Sequence, residues 1–101
     1  MLSHMVYFTL KDPSSVNQQQ LIDSCRHYLP GHEGIVFFAV GTLTPDLKRP
    51  VNDHDFHVTA NVVFESREAH DAYQVSENHQ AFIRENKESW ERLRVFDADV
   101  E

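Results

Sequence analysis

The stretch Gly34-Ile35-Val36-Phe37-Phe38-Ala39-Val40-Gly41 limits what this chain can fold into more than any other. It is apolar throughout, rich in β-branched and aromatic residues, and closed by a glycine at each end. That length and composition predict a β-strand buried on both faces. Such a strand needs a cover on each side. In a small domain the helices cover one side, so the other is expected to meet a second copy of the chain. The face left for that copy carries either Ile35, Phe37 and Ala39 or Val36, Phe38 and Val40. Burial of each large side chain there contributes about 1.5–3 kcal/mol.

The flanking sequence supplies the rest of the fold. Met5 to Lys11 alternates, with His4, Val6, Phe8 and Leu10 on one face and Met5, Tyr7, Thr9 and Lys11 on the other. This predicts a strand, preceded by a frayed Met1-Leu2. Asp12-Pro13-Ser14-Ser15 breaks it, and Ser15 followed by Gln18 resembles a capping box. Leu21, Ile22, Cys25, Tyr28 and Leu29 recur at helical spacing, so a helix is predicted over residues 15–29, stopped by Pro30-Gly31. Thr42 to Asp55 reads as a long polar loop. Phe56 to Glu65 predicts a third strand, with Phe56, Val58, Ala60, Val62 and Phe64 on one face and His57, Thr59, Asn61 and Val63 on the other. Ser66 caps a short helix carrying Ala69, Ala72 and Tyr73. Ser76 caps another, with His79, Phe82, Ile83, Asn86 and Trp90 on one stripe. Leu93 to Asp97 makes a last short strand. The order β-α-β-β-α-β predicts a ferredoxin-like α+β sandwich: a four-stranded antiparallel sheet with helices on one face.

Composition removes competing classes. The 101 residues, 41% hydrophobic and 11% aromatic, fit one ordered domain spanning 1–101. Nine Lys and Arg against sixteen Asp and Glu, with only Lys48-Arg49 adjacent among the basic residues, argue against nucleic acid as a partner. No run approaches the ~20 apolar residues of a membrane span, and the N-terminus lacks a signal-peptide pattern. No membrane association and a cytoplasmic location are therefore expected. Cys25 is the single cysteine, so neither a disulfide within the chain nor a cysteine-based zinc pair can form. It lies on the apolar face of the first helix and reads as a small core residue.

Several ordered segments resemble one known family. His4-x-Val6-x-Phe8-x-x-Lys11-Asp12, then Phe64-Glu65-Ser66, then Tyr73 with His79-Gln80-Ala81-Phe82, then Val95-Phe96-Asp97 follow the pattern of the stress-responsive A/B barrel (Dabb) domains. The resemblance runs from His4 to Asp97. It implies a small homodimer in which two ferredoxin-like sheets face each other as an α/β barrel. Most such proteins have no assigned activity. One is the plant olivetolic acid cyclase, which closes a linear polyketide by an aldol reaction without a cofactor. The resemblance places its catalytic Tyr and His on Tyr73 and His79, a pocket His on His4, and a matching Trp on Trp90. The family often carries His-Pro-x-His before the Ala-Phe pair. Here that segment is Ser76-Glu77-Asn78-His79, so the first His is a Ser and the Pro is absent.

The residues themselves support a site. His79 shares a helical stripe with Phe82 and Ile83, Tyr73 sits on the preceding helical segment, and His4 opens the Val6-Phe8 face of a strand. If that face looks at the helices, His4, Tyr73 and His79 converge in a pocket walled by Val6, Phe8, Phe82 and Trp90. Imidazole suits proton transfer near neutral pH, and a tyrosine hydroxyl can donate to a developing enolate oxygen. The expected function is binding of a small apolar molecule by a homodimer. The alternative is a cofactor-independent cyclase, lyase or isomerase using Tyr73 and His79 on a carbonyl compound. A weaker alternative is a cofactor-free monooxygenase.

Seven histidines in a chain this short raise the question of a metal. Asp53-His54-Asp55-Phe56-His57 has suitable residue types, but it starts in a polar loop, and His54 and His57 do not share a face of an extended segment. No metal and no cofactor are expected. His27, His32 and His70 read as surface or helix-end residues.

Overall fold

The computed structural model describes residues 1–101. The elements run β1 (Leu2–Leu10), α1 (Ser15–Tyr28), β2 (Ile35–Thr42), β3 (Val58–Phe64), α2 (Arg67–Val75), α3 (Glu77–Asn86), a short 3-10 turn (Lys87–Ser89) and β4 (Trp90–Asp99). The strands form one antiparallel sheet in the order β2-β3-β1-β4, with the helices packed on one of its faces.

The core forms where the strand pleat meets the helical stripes. Val58, Ala60, Val62 and Phe64 of β3 are almost fully buried, beside Val6 and Phe8 of β1. Leu21, Ile22 and Cys25 of α1, Tyr73 of α2 and Phe82 of α3 close over them. Burial pushes the Cys25 thiol up to about 12, so it stays protonated and packs as an apolar group.

Several boundaries differ from the sequence reading. Leu2 is not frayed: it is buried, pairs with Phe64 and Asp99, and Met1 exchanges backbone hydrogen bonds with Val100. β4 therefore runs longer than Leu93–Asp97. α1 is capped by Ser14, whose hydroxyl accepts from the Asn17 N–H, while Gln18 donates to the Pro13 carbonyl. Ser15 is thus a first-turn residue. β3 starts at Val58; His57, just before it, still donates its backbone N–H to the Phe8 carbonyl, and its side chain accepts the Leu10 N–H.

Trp90 does not extend the α3 stripe. The helix tightens into a 3-10 turn after Asn86, and Trp90 opens β4 opposite Leu10. Its ring still reaches the core, with centroids 5.2 Å from Phe8 and 5.7 Å from Phe82.

β2 corrects the opening expectation in detail. A bulge between Ile35 and Phe37 inserts one residue, which flips the side-chain phase. Ile35, Phe38 and Val40 then pack toward the core, while Val36 and Phe37 are 53% and 54% exposed. Neither simple alternation describes the strand. In the single chain β2 is covered on one face only. Gly34, with φ at +90°, leads into β2, and a Cβ there would lie 2.4 Å from that of Ala69. Only glycine lets the strand start this close to α2.

The uncovered sheet face carries Met5, Tyr7, Phe37 and Phe96. The loop over residues 43–57 folds across one end of it. Phe56 stacks on Tyr7 at 4.9 Å, Asp53 pairs with Arg94, and Asp55 pairs with Arg92.

Candidate functional site

α1, α2 and α3 cover β2, β3 and β1 but leave the edge strand β4 overhanging. Leu93 and Val95 on its helix-facing side are 42% and 45% exposed. The gap between that edge and α2–α3 is a cavity of about 320 Å³. Every site residue expected from sequence lines it: His4, Val6 and Phe8 from β1, Tyr73 from α2, His79 and Phe82 from α3, and Trp90 from the start of β4.

Local structure fixes each polar group. Ser76 ends α2 and caps α3, with extended backbone and its hydroxyl accepting the His79 N–H. The break turns α3 so that His79 faces Tyr73, with ring centroids 4.7 Å apart. His32 fills the place beside this cap. One ring nitrogen bonds the Ser76 hydroxyl at 2.8 Å, the other bonds the Leu29 carbonyl at 2.9 Å, and the ring packs on Tyr73 at 5.0 Å. Ser76 thus holds a histidine brought from the α1–β2 loop.

His4 sits directly opposite Asp97 in the β1–β4 ladder. Its Nδ1 donates to Asp97 Oδ1 at 2.5 Å, and its Nε2 faces the Gln74 amide at 3.4 Å. His70, three residues before Tyr73 on the same helical face, packs edge-on against His4 at 5.1 Å. The sequence reading missed Asp97, Gln74, His32 and His70 as members of this group. Antiparallel pairing could have found Asp97 opposite His4, and the i, i+3 relation could have linked His70 to Tyr73. The loop position of His32 carried no such signal.

The electrostatics make a neutral donor–acceptor pair. Burial lowers the His79 imidazole to about 4, with further lowering from the nearby His4, His32 and His70. Burial also raises the Tyr73 phenol well above its ordinary range. At neutral pH the cavity therefore presents an uncharged imidazole beside an un-ionised hydroxyl. Two buried polar atoms in its wall, His79 Nδ1 and Trp90 Nε1, have no hydrogen-bond partner. Buried orphans of this kind are uncommon, and each costs about 1–3 kcal/mol.

A larger cavity, about 460 Å³, lies on the opposite side under the 43–57 loop. Tyr7, Leu47, Phe56, Arg94 and Phe96 line it, and none of the expected site residues does. The Asp-His segment ends here in other bonds. Asp53 and Asp55 pair with arginines, a His54 ring nitrogen bonds the Leu47 carbonyl, and His57 accepts from Leu10.

The architecture is that of the ferredoxin-like α+β class. Within it, the chain belongs to the stress-responsive A/B barrel (Dabb) domain family, whose profile matches residues 2–100. No curated protein matches it. Solved structures of the same fold include a Dabb family protein from Mesorhizobium loti, 22% identical with a TM-score of 0.80 over 99% of this chain and 96% of that one. A dimeric ferredoxin-like protein of unknown function from Thermobifida fusca is 12% identical, with a TM-score of 0.81 over 98% and 90%. Hydroxynitrile lyase from Passiflora edulis is 19% identical, with a TM-score of 0.77 over 99% and 93%. No helix is long and apolar enough to cross a membrane.

Proposed function

We propose that this protein is a homodimer whose sheet–helix cavity binds a small, mainly apolar, uncharged molecule bearing an oxygen function. The observation that carries this reading is the pair of orphan atoms. Trp90 Nε1 is a donor only, and the neutral His79 ring offers a donor or an acceptor at Nδ1. A ligand oxygen bonded to either atom would complete it, in a cavity whose apolar wall includes Val6, Phe8, Phe82 and Ile83. A volume of about 320 Å³ suits a ligand of several carbons. Trp90 is the single tryptophan, so its fluorescence reports on the cavity. Titration with neutral ketones, aldehydes and phenols is expected to give a saturable change. His79→Ala should weaken the best ligand by about 3- to 10-fold, the worth of one neutral hydrogen bond. No saturable change across the series, or unaltered affinity in the variant, would end this reading.

Cofactor-independent acid–base chemistry is the second reading, favoured by the contact between Tyr73 and His79 and consistent with a lyase among the proteins of this fold. The hydroxyl would donate to a developing enolate oxygen while His79 accepts the α-proton. An imidazole lowered to about 4 is a weak base at neutral pH, which places binding ahead of catalysis. Exchange of α-hydrogens of a bound ketone for solvent deuterium separates the two. Exchange lost in both Tyr73→Phe and His79→Ala supports catalysis; exchange at the solvent rate sinks it.

The dimer follows from the uncovered sheet face, where Phe37 and Phe96 are 54% and 56% exposed. Two such faces together close a barrel of which one chain is half. Light scattering is expected to give twice the 11.8 kDa chain mass. A concentration-independent monomer would overturn it.

A further inference from the structure

We propose that His4, His70 and Asp97 form a binding site for a divalent transition ion of the zinc type, at the rim of the sheet–helix cavity. One donor atom from each of the three lies within 4.8 Å of the other two. The residues come from three elements, β1, α2 and β4, so the fold and not local sequence gathers them. Two imidazoles and a carboxylate are the donor set that borderline divalent ions prefer, and three protein donors leave a further position for water or ligand.

The arrangement of the rings supports this reading. Two imidazoles bound tetrahedrally to one zinc have ring centres about 5 Å apart. Those of His4 and His70 are 5.1 Å apart, at an interplanar angle of 65°. Both rings are braced by Phe64, with centroids at 6.3 and 5.5 Å. His70 Nδ1 is bonded to Asp71 Oδ1 at 2.9 Å, which leaves its Nε2 as the free donor. A carboxylate on the far nitrogen is the outer-shell support that orients metal-binding histidines. The His4 nitrogen that faces Asp97 is Nδ1, at 2.5 Å, so the ion would take the place of the proton shared between them.

Donors on one tetrahedral ion lie about 3.3 Å apart, so the His4–Asp97 contact at 2.5 Å must open a little, while the wider separations, within 4.8 Å, must close. The mobile member is Asp97, whose side chain is 46% exposed on the edge strand. His4 and His70, with side chains 5% and 14% exposed, provide the fixed wall. His4, His70 and Asp97 also line the sheet–helix cavity, so the ion would form part of its wall, apart from His79 and Tyr73.

Cobalt(II) titration tests the proposal, since a tetrahedral site with nitrogen donors gives an intense visible spectrum, and zinc then displaces it. The purified full chain is expected to bind one cobalt ion and to lose the spectrum on adding zinc. His70→Gln and Asp97→Asn should each weaken binding by at least about 10-fold. His27→Gln, a change at an exposed histidine outside the cluster, should leave it unaltered. Circular dichroism of each variant checks that the fold is retained. Absence of a stoichiometric spectrum would overturn the site. Binding that survives His70→Gln and Asp97→Asn would overturn it equally, because the ion would then sit on other histidines.

Discussion

The two faces of the sheet both carry large apolar side chains, yet they are in opposite states of completion. On the helix side, aromatic and aliphatic residues are packed, yet two polar atoms wait unpaired in a cavity wall. On the other side, the polar groups of the loop are paired with Arg92 and Arg94, yet Phe37 and Phe96 lie open. A helix-side surface short of hydrogen bonds calls for a small ligand with polar atoms. An open surface short of apolar cover calls for another protein surface. Cavity size does not decide between them, since neither buried orphan lies in the larger cavity.

The largest test of this contrast uses one residue type on both faces. Phe64 is fully buried beneath α2, so Phe64→Ala should cost about 3–5 kcal/mol of unfolding free energy. Phe37→Ala should change the stability of an isolated chain far less, because its ring is half exposed there. It should instead weaken the dimer, by up to about 1.5–3 kcal/mol if the partner buries the ring fully. Urea melts at several protein concentrations separate these outcomes. Equal, concentration-independent losses at both positions would erase the distinction between the faces.

The next test concerns pH. His79 is lowered to about 4 in the fold from an ordinary 6.5. Between those values the unfolded chain binds more protons at this residue than the folded one. Stability from this group is therefore present above about 6.5 and is lost as pH falls toward 4. A His79→Asn variant should show a flatter loss over that window than the parent chain, measured by urea midpoints. Parallel curves would mean that the ring is not desolvated as the cavity geometry requires. Asp53 and Asp71, held low by their hydrogen bonds to Arg94 and to His70 with Arg67, lose their contributions only at lower pH.

Much of this arrangement was legible in the residues because it follows local periodicity. Alternation placed Val6 and Phe8 with Val58, Val62 and Phe64, and helical spacing placed Tyr73, His79 and Phe82 on the inner side. The missing parts depend on contacts between distant segments. The β2 bulge changes the phase by one residue within an unbroken apolar run, where no polar residue marks the shift. Trp90 fitted a helical stripe by count alone, but strand pairing with Leu10 won that residue for β4. His32, His70 and Asp97 became part of the site only when β4 lay beside β1 and the α1–β2 loop reached the α3 cap.

The smallest effect expected is also the most specific to this chain. Ser76 accepts the His79 N–H at the start of α3 and bonds His32 on its other side. Ser76→Ala removes the cap and should cost about 1 kcal/mol. Ser76→Asp keeps a capping oxygen and places negative charge at a helix N-terminus, so it should retain most of that stability. The same pair of variants probes the cavity. Because the cap sets the first turn of α3, its loss should loosen His79 and lower ligand affinity without removing any lining side chain. If Ser76→Ala lowers stability but leaves affinity unchanged, His79 is positioned by its packing on Tyr73 and not by the cap. If both fall together and Ser76→Asp restores both, the break between α2 and α3 is what aims the imidazole into the cavity.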